Sequence, residues 1–263
     1  MKNQIDMFMR IVVLFMLITG LISCTKDGSF ESGSQSGGTL SGSYATMLTI
    51  NNKLYVVNTS EITTFDVSDP KQPRQIDRRN VGVDIESLYH YNGLLLIGSA
   101  NNMYIYRINA DGIPERQSAS QYNQVFGDEV CTSDPIVVRD DIAYVTLSAV
   151  STVCRFPRQT NEMRIYDVRD IKNPKMLNTK PMTAPKGLGF GKNHLYVCDE
   201  VTGLYIYSLK NPQNPELVKT ISGFSGYDLI IDGHLMIIVT PDELLQYDIT
   251  NETDIKPLGK IEL

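Results

Sequence analysis

The chain has no tryptophan, only three histidines and four cysteines, and no cluster of lysine or arginine in its body. Each shortage excludes something. Phosphate binding needs a basic footprint, so a net charge of -6 without one argues against a nucleic-acid partner. No Cys/His spacing fits a zinc site, so no metal ligands are assigned. Gly-rich phosphate loops and the G-x-S-x-G elbow are missing too, and with them any motif that would name a cofactor or a catalytic residue. The glycine-rich GLGFG (187–191) reads instead as an inner strand where backbones crowd an axis. Helical periodicity is absent after residue 24. There is one long apolar run, Ile11 to Ile22, of 12 residues. It is too short to cross a bilayer and suits the core of a signal peptide.

That run lies between Lys2 and Arg10 on one side and Leu21-Ile22-Ser23-Cys24 on the other, a sequence that resembles the bacterial lipobox. The resemblance implies cleavage after residue 23 and a diacylglycerol on Cys24. Residues 1–23 would then be a lipoprotein signal peptide, and their loss would leave a net charge of -7, since they carry Lys2, Arg10 and Asp6. Thr25 after the cysteine, in place of Asp, implies the outer membrane by the Gram-negative sorting rule. Residues 24–42 read as the lipidated cysteine and a flexible Gly/Ser tether. The expected membrane contact is this lipid alone, with the periplasmic or surface-exposed face left open.

What is present is a repeat. Apolar tetrads start at Leu54, Leu94, Ala143, Leu195 and Leu235, and a second apolar run follows each. The aromatic of that second run falls at Phe65, Tyr106, Tyr166, Tyr207 and Tyr247, so the intervals are 41, 60, 41 and 40. Each unit reads as four strands, A to D. Tight polar turns join A to B at Asn51-Asn52, Asn92-Gly93, Asp140-Asp141 and Asp232-Gly233, pairs that tolerate positive φ. Prolines mark the C–D turns and place D at a sheet edge. Strands B and C are apolar on both faces, as in a sheet packed between two others. Five such units over residues 43–263 predict an all-β fold, a five-bladed β-propeller of four-stranded antiparallel blades. The ring is expected to close by packing alone or through residues 38–43 pairing at an edge.

ITTFDVSDP (62–70), MRIYDVRDIKNP (163–174), LYIYSLKNPQNP (204–215) and LLQYDI (244–249) resemble the LVIVD repeats of bacterial and archaeal cell-surface proteins. The resemblance covers the whole folded part and implies a propeller at the cell surface, with no catalytic residues. Units two (RINADGIP) and four (SLKNP) depart from the Asp-Val-Ser-x-Pro ending.

The extra residues of the 60-residue interval flank strands A and B of blade three, within 118–134 and 148–162. Both stretches emerge on the face that carries the D–A and B–C connections. Long loops on a rigid scaffold are where binding concentrates. Each holds one cysteine, Cys131 and Cys154, which can pair in an oxidising compartment. Closing that loop would stabilise by about 3 kcal/mol on the chain-entropy estimate. Cys198 reads as a buried free thiol. His90, His194 and His234 are too dispersed for one metal and read as surface or hydrogen-bonding groups.

Ala45, Glu86, Asp134, Lys186 and Gly226 recur a few residues upstream of the B strands and should ring the channel mouth on the long-loop face. Asp84, Tyr227 and Asp228 lie beside them. Carboxylates and a lysine there could take a cation, a sugar or a peptide end, or serve acid–base hydrolysis. They could also pair internally, Lys186 with Glu86 or Asp134, and hold the mouth shut. The expected function is therefore a monomeric, non-enzymatic module that binds a protein, peptide or glycan. The alternative is a hydrolase or lyase that uses the mouth carboxylates and Lys186.

Overall fold

The structure is a computed structural model that describes residues 46–122, 132–133, 135–149 and 160–263. It is a five-bladed β-propeller. Blade one is β1 (Met47–Ile50), β2 (Lys53–Val57), β3 (Glu61–Asp66) and β4 (Arg74–Asn80). Blade two is β5 (Ile85–Tyr91), β6 (Leu94–Ser99), β7 (Asn102–Ile108) and β8 (Pro114–Gln121). Blade three adds a short β9 (Thr132–Ser133) to β10 (Ile136–Arg139), β11 (Ile142–Ala149), β12 (Glu162–Asp167) and β13 (Lys175–Pro181). Blade four is β14 (Pro185–Phe190), β15 (His194–Asp199), β16 (Gly203–Ser208) and β17 (Glu216–Ile221). Blade five is β18 (Asp228–Asp232), β19 (Leu235–Val239), β20 (Glu243–Asp248) and β21 (Lys256–Glu262). Neighbours in each sheet are consecutive in sequence and antiparallel, with β9 pairing β11 off the main path.

The turns follow from their residues. Asn51, Asn52, Asn92, Gly93, Asp140 and Asp141 all have positive φ, which matches the twist of a two-residue hairpin. The fifth A–B turn differs from expectation by one residue. Asp232 pairs with Leu235, so the turn is Gly233-His234, with glycine alone at positive φ in the first central position. At the C–D end, a polar side chain closes each turn: Asp66, Asp167 and Asp248 accept the backbone N–H two residues on. Asn109 does the same in blade two and Ser208 in blade four. This explains why the repeat can lose its Asp. The turn needs a short acceptor, and Asn or Ser supplies one. The Ser68 side chain and then its backbone N–H hold the Asp66 carboxyl down to about 2, and the Arg169 guanidinium and then its backbone N–H do the same for Asp167.

The repeated aromatic marks a second device. The C–D register shifts in every blade just before Phe65, Tyr106, Tyr166, Tyr207 and Tyr247. The extra residue on the outer strand is Ile76, Gln117, Leu177, Val218 or Leu258. A bulge on an edge strand raises its twist and discourages pairing with a foreign edge.

The core lies between blades. Four buried clusters join blades one and two, two and three, three and four, and four and five. Three tyrosines in the second position of the B tetrad stitch neighbours together. The hydroxyls of Tyr55, Tyr144 and Tyr196 donate to the carbonyls of Gly112, Pro212 and Glu252, each in the C–D turn of the next blade. Among the described residues no such cluster joins blade five to blade one. Leu54, Val56 and Phe65 on one side, and Leu235, Ile237 and Leu244 on the other, are only half-buried. Their counterparts Leu94, Ala143 and Leu195 are buried. Two-sided burial of B and C thus holds for blades two to four and fails at the ends. Packing alone does not seal this seam with a buried core, and residues 38–43 lie outside the described residues.

Candidate functional site

Two inner-strand irregularities build the long-loop face. In β5 the register slips between Ile85 and Ser87, so Glu86 is the extra residue of a bulge. In β14, Lys186 and Gly187 together face Cys198, a second bulge. Bulges re-aim side chains, and these two carry the charged members of the expected ring. The Lys186 carbonyl is gripped by the Thr146 hydroxyl of blade three at 2.6 Å. The Gly187 N–H donates to the Tyr227 carbonyl of blade five at 2.8 Å.

Lys186, expected to pair with Glu86 or Asp134, meets a carboxylate of its own blade, and Asp134 lies outside the described residues. The Lys186 ammonium lies 3.3 Å from a Glu200 carboxylate oxygen and 5.7 Å from the centre of the Tyr227 ring. Glu200 was not foreseen. It sits just after β15, in the B–C connection of the same blade. The Tyr227 side chain is 46% exposed. Burial of its hydroxyl raises its pKa, and the negative charges of Glu86, Asp228 and Glu200 raise it further. Glu86 belongs to blade two and Tyr227 to blade five, so the electrostatics bring non-adjacent blades together at one place. Asp84 is exposed, holds a strained φ of 48° and accepts the Ala100 N–H on its carbonyl. Lys186, Glu200, Tyr227, Asp228 and Glu86 thus form one group of charges and one aromatic, able to hold a polar or cationic ligand. Asp134, Ala45, Cys131, Cys154 and Cys24 lie outside the described residues.

Beneath this group sits Asp199, which sequence reasoning also missed. It is fully buried. One carboxylate oxygen accepts the N–H groups of Ala184 and Thr183 at 2.8 and 3.2 Å. The other accepts those of Thr202 and Val201 at 2.8 and 3.1 Å. One side chain therefore ties the D–A connection before β14 to the B–C turn that carries Glu200. Asn58, Ser99 and Thr240 stand in the same slot of other blades and cap only their own B–C turn. A polar residue in this slot in four of the five B strands was the available signal; blade three has Leu147 there. Cys198, next to it, is a buried free thiol whose pKa burial pushes well up, which fits a structural residue.

The opposite face holds the histidines. His90 accepts the Gly93 N–H and caps its own hairpin. His194 and His234, 40 residues apart in the same slot of blades four and five, line one groove of 540 Å³. Glu252 reaches across from blade five and accepts from His194 Nδ1 at 2.9 Å and from the backbone of Lys192 and Asn193. This makes Glu252 a strap between blades. Among the described residues no three His, Cys, Asp or Glu side chains are grouped to hold a metal.

No protein-family profile and no curated protein matches the chain. Solved structures do. A protein from Lactobacillus plantarum superposes with a TM-score of 0.63 at 12% identity, over 80% of this chain and 67% of its own. The periplasmic gluconolactonase of Pseudomonas aeruginosa gives 0.60 at 13%, over 80% and 69%. A hypothetical selenium-binding protein from Sulfolobus tokodaii gives 0.54 at 13%, over 81% and 59%. The chain spans between 59% and 69% of the lengths of these neighbours. Identities this low speak for the fold alone. By its own sheets and by these neighbours, the chain is a β-propeller protein.

Proposed function

We propose that this protein is a lipid-anchored propeller of the cell envelope, with LVIVD-like repeats, that binds a polar ligand without transforming it. The binding surface is the channel mouth with the long-loop face of blade three. The observation that carries this reading is the group at the mouth: a half-exposed Tyr227 with Lys186 over its ring and Glu200, Glu86 and Asp228 around it. Lys186 is already neutralised by Glu200, which suits recognition better than proton transfer.

The test is a glycan and Ca2+ binding screen on the intact chain, repeated on Glu86→Gln and Lys186→Met. At least one probe is expected to bind and to weaken tenfold or more in both variants. Binding that ignores both substitutions would remove the mouth from the proposal. The second reading, a hydrolase, is favoured by the carboxylates beside Lys186 and by a neighbour named as a gluconolactonase. It requires turnover: lactone hydrolysis above the spontaneous rate, lost in Lys186→Met, would replace the binding reading.

Anchoring and the disulfide are read together from intact mass. Protein extracted from membranes without reductant is expected to carry the diacylglycerol on Cys24 and to lack the two hydrogens lost on joining Cys131 to Cys154. An unmodified Cys24, or free thiols at both loop cysteines, would sink the corresponding claim.

A further inference from the structure

The seam between blades five and one is apolar in sequence and uncovered in structure. In the middle blades the B strands are buried on both sides: β6 throughout, β11 up to its last residue and β15 after its first. In β2 and β19 burial alternates instead. Tyr55 and Val57 turn into blade two, and Met236 and Ile238 into blade four. A strand with one solvated face should carry polar residues on it. Here the less buried positions are Leu54 and Val56 in blade one and Leu235, Ile237 and Val239 in blade five. Two further members of these faces are more open still. Met47, opposite Val56, is 61% exposed, and Ile261, opposite Leu244, is 51% exposed. The counterpart of Met47 in blade three is Ile136, which is fully buried.

The two faces do not close on each other. Innermost strands of successive blades lie side by side, β1 with β5, β5 with β10, β10 with β14 and β14 with β18. Among the described residues β18 makes no comparable approach to β1. Repeat stacks that end in water carry polar outer faces on their terminal units, and neither of these faces is polar. No blade lacks a strand, so no sheet waits to be completed. It is a face that needs cover.

The chain itself supplies a candidate. Pairing in blade one extends one residue before β1, where the Thr46 carbonyl accepts the Val57 N–H. Residues 38–45 therefore join the structure at the seam. Their sequence, GTLSGSYA, has period two: in an extended chain Leu40 and Tyr44 share one side with Gly42 between them, and Thr39, Ser41 and Ser43 share the other. Eight extended residues reach about 26 Å, and a four-stranded blade is about 19 Å across. A second copy of the protein is the weaker occupant. One face covers about 300 Å², so packing face on face buries about 600 Å², less than a specific interface between separate chains needs. A tethered segment docks from an effective concentration in the millimolar range.

We propose that residues 38–45 dock in the seam as an extended segment, with Leu40 and Tyr44 against Leu54, Val56, Ile237 and Leu244. The tether expected over residues 24–42 is then shorter, because its last residues belong to the propeller. The proposal does not rest on the binding reading of the mouth.

The experiment is peroxide oxidation of the intact chain, with methionine sulfoxide located by peptide mass spectrometry. Met47 and Met176 are the paired reporters, 61% and 54% exposed. With the segment docked, Met47 is expected to oxidise at least fivefold more slowly than Met176. In the double variant Leu40→Asp, Tyr44→Asp the two rates should converge, with Met176 unchanged as the control for folding. Ile237→Ala, which thins the opposite wall, should also speed oxidation at Met47 and leave Met176 alone. Equal rates in the unsubstituted chain would overturn the proposal, because the seam would then be open. Protection of Met47 that survives the double variant would overturn it too. Protection that disappears on dilution, together with a dimer in sedimentation, would assign the seam to a second copy instead.

Discussion

Replacing Asp199 with alanine is expected to destabilise the protein by about 3 kcal/mol or more, read as a lower urea midpoint at unchanged slope. The reason is the number of groups that depend on it. Four backbone N–H donors converge on one fully buried carboxylate. A hydrogen bond to a charged group contributes roughly 1.5–3 kcal/mol, and its loss leaves buried donors that water reaches poorly. The contributions are not additive, which is why the expected total is nearer one or two such bonds than four. Asp199→Asn is a sharper probe. Its single carbonyl oxygen can keep two donors, but its NH2 group faces the other two. It should therefore recover less than half of the loss. A cost under about 1 kcal/mol for the alanine variant would mean that the turns hold their shape without the carboxylate. The same variant should also lose ligand binding at the mouth, because the Glu200 turn hangs from this anchor.

Gly187→Ala is expected to cost about 2 kcal/mol and to weaken whatever binds at the mouth. Gly187 and Asp228 belong to the innermost strands of adjacent blades, where the backbones approach most closely. A Cβ on Gly187 would lie 2.7 Å from the Asp228 Cα, a backbone atom that cannot rotate out of the way. The 2.8 Å bond from the Gly187 N–H to the Tyr227 carbonyl would have to stretch, moving both Tyr227 and Asp228. Gly189 is the internal control. An added Cβ there meets the Leu229 Cδ1, the end of a side chain, and its three nearest neighbours are all side-chain atoms. Gly189→Ala should cost less, and it should leave the mouth intact. Equal losses at the two positions would refute the close-approach explanation. Thermal melts and the binding screen described above read both effects.

Much of this was legible because a repeat reports its own geometry five times. The 41, 60, 41 and 40 spacing is a property of the sequence, and each of the five units fell on one sheet, four-stranded in four blades and with the short β9 added in blade three. The positive-φ pairs at Asn51-Asn52, Asn92-Gly93 and Asp140-Asp141 were readable because few residue pairs tolerate that backbone. GLGFG was readable as crowded backbone for a similar reason. The fifth turn slipped by one because Asp-Gly and Gly-His are both acceptable, through different turn types. Glu86 and Lys186 were found by counting along the repeat, and their bulges could not be, since a bulge changes register without changing composition.

The partners of those residues were beyond reach for a different reason. Lys186 meets Glu200 in its own blade and Tyr227 in the next, and Glu86 acts on Tyr227 from a blade that is not adjacent. Such distances depend on how blades splay and where the ring turns, which no local pattern encodes.

The sequence by itself determined the blade count, the order of the four main strands in each blade and three of the hairpin turns, because each depends on local propensity and on side-chain alternation within about 40 residues. The tertiary structure alone decided which charges meet, which carboxylate is buried and that blades five and one share no buried core among the described residues. Those are contacts between surfaces, and they depend on the relative placement of rigid sheets that the chain specifies only after it has folded.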